Sequence, residues 1–416
     1  MKNSSVLAPC IACLMAVVLA LSCLVSRERQ SGVGLLDTRV NTPLDDRALS
    51  LAKQAEKAAA EGRIDEARLY FARATDGTSN LAVLNLAYKF YARTGDFAAA
   101  EYMMERSLAI SGRDSTTKAT ATSLGNLGLI HAKRGDLTRA EEMHQKSLAI
   151  DKKLANQEGM AANYVNLGGI HQRRGELDRS EEMLQRALSI FERLGNQMGM
   201  AMSYGNLGVI YEMRDDLERA EEMQKKALAI DEKLGNQDGI ATGYSNLGLI
   251  YEMRGELDRA EEMHRKSLAV DEKLGRQESI AAQYGNLGVI YQKRSDLGRA
   301  EEMYRKSLTI SEKIGRQDGM ANQYVNLGLI YQMRAEFEGA EEMYQKSLAI
   351  SEKLGLQEGT ATSYSNLGLV AEARGEMERA REFWTKARDA FSKIGMPGQV
   401  TKVQAWLDGL PKTTAQ

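Results

Sequence analysis

The stretch Tyr244-Ser-Asn-Leu-Gly-Leu-Ile-Tyr-Glu-Met-Arg-Gly-Glu-Leu-Asp-Arg-Ala-Glu-Glu-Met263 recurs along the chain with small variations. Its Asn-Leu-Gly core returns every forty residues, at Asn126, Asn166, Asn206, Asn246, Asn286, Asn326 and Asn366. Self-similarity at a fixed period of this length marks a stack of supersecondary units, each burying its apolar face only against its neighbours. Ile240, Tyr244, Leu247, Gly248 and Tyr251 fall on one face of a helix by three-and-four spacing. Gly255 breaks that helix, and Glu256 stands where an acid favours the start of the next. Leu257, Ala260, Met263, Ser267, Leu268 and Val270 form the packing side of the second helix, which Gly275 ends in a left-handed conformation. The unit so predicted is a helical hairpin.

Working outward, seven such units begin near Ala119, Gly159, Gly199, Gly239, Ser279, Gly319 and Gly359. Together they span 113–395, preceded by two divergent hairpins in 48–112 that turn at Gly62 and Gly95. Beyond Gly395-Met-Pro397-Gly, residues 396–416 read as a capping helix and a polar tail. Only four prolines occur in the chain, and Pro43, Pro397 and Pro411 flank the repeats, as an all-helical body requires. Glycine and alanine are expected to form notches where paired helices approach, as Gly248 with Ala260, Gly208 with Ala220 and Gly328 with Ala340. A larger side chain there would overpack the joint at a cost of roughly 1–3 kcal/mol. Pairs such as Glu262 and Lys266 sit four apart on the outer face.

Net charge is −2 with both signs interleaved, which gives no footprint for nucleic acid. All three cysteines, Cys10, Cys13 and Cys23, precede residue 26, so the repeats hold neither disulfides nor thiolate metal sites. From Val6 to Val25 no charge occurs, with Lys2 before and Arg27 after. Such a run just spans a hydrocarbon core of roughly 30 Å. Segment 1–25 is therefore expected to be a signal peptide or membrane anchor, and 26–47 a flexible tether. Leu19-Ala-Leu-Ser-Cys23 resembles a bacterial lipoprotein box, which implies acylation of Cys23, although Ala20 stands where that box usually has leucine. Lipid anchor and spanning helix both stay open. Either makes the chain membrane-attached through its N-terminus alone; export towards a bacterial envelope compartment is expected, while positive charge at both ends of the run leaves the side of the membrane open. A start codon assigned too far upstream would make it cytoplasmic.

Tyr244, Leu247, Gly248, Tyr251, Gly255, Ala260, Ser267 and Leu268 together resemble the tetratricopeptide repeat. The forty-residue length and the Gly-x-Gln-[Asp/Glu]-Gly joint look like the longer variant of kinesin light chains and Partner-of-Inscuteable adaptors. The resemblance covers about residues 48–395, and it implies an all-α fold: a right-handed superhelical solenoid of about nine hairpins plus a C-terminal capping helix. It implies binding of protein or peptide partners, whereas the heptad coiled coil and the C-terminal regulatory motifs of those two families are missing here.

The first helix of each unit carries a second face, spaced four, three and four: Thr242, Asn246, Leu249 and Met253, or Met202, Asn206, Val209 and Met213. By resemblance that face lines a concave groove. Mid-helix asparagine costs roughly half a kcal/mol against alanine, so seven in register call for a reason. A carboxamide both donates and accepts, and a row of them can hold a ligand backbone without demanding its sequence. Asn126, Asn166, Asn206, Asn246, Asn286, Asn326 and Asn366 are therefore the candidate peptide-binding residues. Met213, Met253 and Met333 would give an adaptable apolar floor. Lys133, Arg173 and Lys293, at the methionine position of other units, could select acidic groups. The competing account ties each asparagine to a neighbouring unit or to its own helix.

Catalytic residues, metal ligands and cofactor motifs are not found in the sequence. His131, His144, His171 and His264 lack metal spacing, and His131 and His171 replace the packing tyrosine of Tyr211 and Tyr251. Glu261 and Glu262 and their copies lie on a solvated face. The expected function is a non-enzymatic scaffold or adaptor that holds partner segments. The alternative is a peptide-regulated signalling protein whose solenoid changes shape on binding.

Overall fold

The computed structural model describes residues 43–112 and 115–411. The apolar run, Cys23 and nearly all of the expected tether lie outside them, as does the end of the polar tail. The chain divides into two compact units at Gly239/Ile240. The first contains α1 (Pro43–Ala60), α2 (Ile64–Thr75), α3 (Leu81–Arg93), α4 (Phe97–Ser111), α5 (Lys118–Lys133), α6 (Leu137–Lys153), α7 (Gln157–Arg173), α8 (Leu177–Leu194), α9 (Gln197–Met213) and α10 (Leu217–Leu234). The second begins within α11 (Gln237–Met253). It continues through α12 (Leu257–Leu274), α13 (Gln277–Lys293), α14 (Leu297–Lys313), α15 (Gln317–Met333), α16 (Phe337–Leu354), α17 (Gln357–Ala373), α18 (Met377–Lys393) and α19 (Pro397–Gly409). All described regular structure is helical, as the repeat period implies. None of these helices is long and apolar enough to cross a membrane.

Within each unit a first helix packs on its second, and the second packs on the first helix of the next hairpin, as α5 on α6 and α6 on α7. The first helix starts at Pro43, inside the span read as tether, and Asp45 accepts a hydrogen bond from the Thr78 hydroxyl at 2.9 Å. At the far end α19 packs on α18, burying Val403 and Leu407 beside Trp384.

Helix starts follow side-chain length. Asp96, Asp136, Asp216 and Asp296 each accept from the backbone N–H three residues on, satisfying a donor the helix leaves free. Glu176, Glu256, Glu336 and Glu376 occupy the same position and make no such bond. The expected capping role of Glu256 is thus corrected. One extra methylene carries its carboxylate past the amide, and it pairs with Arg259 instead. Helix ends agree with expectation: Gly275 is left-handed at φ 67°. At the hairpin turn Asp215, Ser295 and Ala335 adopt φ 61°, 59° and 59° where other units use glycine. Each costs about 1 kcal/mol relative to glycine.

The expected glycine–alanine notch is also corrected. A Cβ placed on Gly248 would lie 2.7 Å from the His264 ring, sixteen residues on, and nothing of Ala260 is among its nearest atoms. The same offset pairs Gly128 with His144, Gly168 with Leu184, Gly208 with Gln224, Gly288 with Tyr304, Gly328 with Tyr344 and Gly368 with Trp384. Glycine therefore makes room for one large buried side chain of the partner helix. Ala220, Ala260 and Ala340 are fully buried, but they are not what the glycines accommodate.

Between hairpins an ion pair recurs at an offset of thirty-three residues. Arg134 meets Glu101 at 2.6 Å, Arg334 meets Glu301 at 2.6 Å, and Arg374 meets Glu341 at 2.7 Å. Arg174 with Glu141, Arg214 with Glu181 and Arg294 with Glu261 make the same contact. Burial opposes ionisation of Glu261, yet hydrogen bonds from Tyr291, Arg294 and Arg265 outweigh it and hold the carboxyl down at about 2.

The glycine slot has a measurable consequence. Gly328→Ala should lower stability by about 1–3 kcal/mol through overpacking against Tyr344. In a Tyr344→Leu background, mimicking Leu184, the added cost of the alanine should fall. Urea unfolding of the two single variants and the double variant checks this, and strictly additive losses would count against the contact.

Candidate binding face

The asparagines lie on α5, α7, α9, α11, α13, α15 and α17. Six are half-buried, and Asn246 is the most covered at 9% exposure. Asn126 donates to Asn85 Oδ1 on α3 at 3.3 Å and approaches Met104 Sδ at 3.4 Å. Asn326 makes a long 3.4 Å bond to Gln323 within its own helix. For Asn166, Asn206, Asn246, Asn286 and Asn366, no side-chain hydrogen bond occurs among the described residues. Asn126 thus matches the structural account of the ladder, while these five amides keep donor and acceptor capacity in hand.

Met213, Met253 and Met333 are 39%, 44% and 52% exposed, whereas Val209 and Leu249 of the same expected face are buried. Gln172 Nε2 reaches Met213 Sδ at 3.6 Å. The cations at this position are engaged by the protein. Arg173 donates to the Ala132 carbonyl at 2.7 Å, and Lys293 pairs with Glu252 at 2.9 Å, each joining neighbouring first helices. Lys133 lies 5.8 Å above the Phe97 ring, and burial lowers its pKa.

One further residue borders this face, a turn after Gly208 and on the side of the second helix. Glu212, next to Met213 at the end of α9, is only 5% exposed, and its Oε2 is buried without a hydrogen-bond partner. Burial pushes its carboxyl up to about 7. Gln292 and Gln332 occupy the same repeat position and accept hydrogen bonds from Tyr304 and Tyr344 at 2.7 and 2.9 Å. In place of those tyrosines Glu212 has Gln224, whose Nε2 donates to the Gly205 carbonyl at 2.9 Å. The mismatch between a glutamate and a glutamine twelve residues on was the available signal.

All four histidines pack in the interior. His144 and His264 are fully buried, with Nδ1 3.1 Å from Asn163 Oδ1 and 2.9 Å from Gln283 Oε1. Those oxygens only accept, so each Nδ1 carries the proton and each buried Nε2 is left without a partner. Burial drives both imidazoles down to about 4, against the amide bonds that favour the charged form. Among the described residues no three metal-ligating side chains converge.

A depressed histidine pKa stabilises the fold fully above the unfolded value near 6.5, and that contribution is lost as pH falls towards 4. Each histidine puts on the order of 3 kcal/mol at stake. Urea midpoints measured from pH 7.5 to 4 should fall steeply for the wild type and less steeply for His144→Gln/His264→Gln, in which both slots are filled as by Gln224. Equal slopes would contradict the assignment.

A tetratricopeptide-repeat model matches residues 81–153 and 159–233, and a model of the MalT-like TPR region matches 207–404. No curated protein matches the chain in sequence. Among solved structures, it is similar to the apo form of the quorum sensor NprR from Bacillus thuringiensis, with TM-score 0.62 and 13% identity over 84% of this chain and 99% of that one. A Rap protein complexed with Competence and Sporulation Factor aligns with TM-score 0.54 and 12% identity over 88% and 97%. The STAND protein PH0952 from Pyrococcus horikoshii, which has a tetratricopeptide-repeat sensor, aligns with TM-score 0.59 and 14% identity over 89% and 61%. At these identities the likeness is one of fold. With matched models reaching from residue 81 to 404 and seven glycine-seated hairpins from Gly128 to Gly368, the chain is a tetratricopeptide-repeat protein.

Proposed function

We propose that this protein is a membrane-tethered interaction scaffold whose asparagine-bearing helix face holds an extended polypeptide segment. The observation that carries the reading is the set of five asparagines with no side-chain partner among the described residues, next to exposed methionines. Unpaired carboxamides on successive helices can bond the peptide groups of an extended segment, and methionine adapts to varied side chains. The Rap protein solved with Competence and Sporulation Factor gives an example of a ligand held by a similar fold.

The test uses the full chain, immobilised, with pools of capped random decapeptides as the probe. Wild type should retain a subset of the pool that Asn206→Ala/Asn246→Ala/Asn286→Ala loses by roughly tenfold or more, with an unchanged or higher melting temperature. Intact retention with a large drop in melting temperature would instead place these asparagines in the architecture. In the alternative reading, a bound segment regulates the repeat stack, and the same titration would then change the scattering radius.

Attachment to a membrane is the second part of the proposal and rests on the uncharged run from Val6 to Val25 and on Cys23. Mass measurement of the mature N-terminus should find a cleaved, acylated cysteine or an intact run that partitions with membranes. An N-terminus beyond residue 25 without lipid would overturn the tether.

A further inference from the structure

We propose that Glu212 selects what the first unit's binding face takes, by accepting a cationic side chain, a lysine ammonium or an arginine guanidinium, from the bound segment. The inference rests on the reading of that face as a holder of extended polypeptide and gives the ligand a chemical class.

Three observations converge on Glu212. Its carboxylate is nearly sealed from solvent and has a buried oxygen with no partner, an arrangement that burial penalises unless a donor arrives. Along α9 it directly precedes Met213 and follows Val209 by a turn, so it borders the proposed contact residues from the side of Gly208. Finally, the protein carries a worked example of the contact. Glu252, its repeat counterpart in the second unit, is satisfied by Lys293, forty-one residues on, at 2.9 Å. There the carboxylate is 15% exposed and the lysine 41% exposed, so a long cation reaches this slot while its stem stays at the surface. In sequence, the residue forty-one after Glu212 is Met253, not a cation.

The chemistry fits a cation better than its competitors. A ligand carboxylate would meet like charge at close range. A metal ion would need further oxygen or nitrogen ligands, and no group of three is present among the described residues. An ammonium or guanidinium supplies donors and neutralises the carboxylate in one contact, forming a charge-assisted hydrogen bond. The upward shift of the Glu212 pKa agrees with a group waiting for such a partner.

The experiment presents capped decapeptide pools, each with one position fixed as Lys, Arg, Ala or Glu, to the full chain. Wild type should favour Lys or Arg pools over Ala and Glu pools by roughly tenfold or more at one position, the weight of one charge-assisted bond. Glu212→Gln should erase that preference while keeping general retention, its fold confirmed by circular dichroism. Glu252→Gln, which removes a carboxylate already paired, should keep the preference. Retention without a cation preference, or a preference untouched by Glu212→Gln, overturns the role of Glu212 and leaves the reading of the face standing. If wild type retains no pool at all, both fall.

Discussion

The structure depends on one steric bargain inside each hairpin. A glycine on the first helix leaves a hollow, and the residue sixteen positions later fills it with whatever bulk it carries: imidazole, isobutyl, carboxamide, phenol or indole. Because the hollow sits at the same place in every regular hairpin, the two helices meet at one register and the first helix is fixed about its own axis. That rotation decides which residues remain for other work. With Leu247, Gly248 and Tyr251 turned inward, Asn246 and Met253 fall on the other side. The ladder is thus a by-product of how the hairpin is seated.

A second layer of interactions joins hairpin to hairpin. Arginines bind glutamates one repeat back, and in Tyr211 with Glu181 and Tyr291 with Glu261 a phenol shares the carboxylate. The Glu261 carboxylate is partly sheltered and receives several donors, so it stays ionised well below the usual range. Polar keys at the buried seams differ from one to the next. Asn163 donates to Ser147 and Asp151, while Gln283 donates to Ser245 and accepts from His264. A uniform apolar seam would let similar hairpins dock out of order, whereas a mispaired key leaves a buried polar group unsatisfied at about 1–3 kcal/mol.

Much of this was legible in the chain. Repeat period, hairpin turns and left-handed helix ends all follow from spacing, because spacing fixes direction around a helix. Contacts set by side-chain reach across repeats did not follow. His264 and Asp271 are buried in α12, yet an apolar count passes over them because polar partners, Gln283 for one and Arg276 for the other, license their burial. The engagement of Lys293 by Glu252 needs the forty-one-residue offset between neighbouring first helices, which no single repeat displays. Glu256 was misread as a cap because the position was right and the side chain one carbon too long. Glu212 escaped notice because an acid near a helix end looks like any solvated acid until its neighbours are known.

The thirty-three-residue offset of the arginine–glutamate pairs has a bearing on how such a protein can change over generations. Suppose one forty-residue block is lost or duplicated in register. The arginine of the new junction still finds a glutamate thirty-three positions back, because each block brings both halves of the contact. Unequal exchange between the near-identical gene segments could therefore lengthen or shorten the stack by whole hairpins, with no fresh core to invent. The length of the stack would then evolve in discrete steps rather than by gradual adjustment.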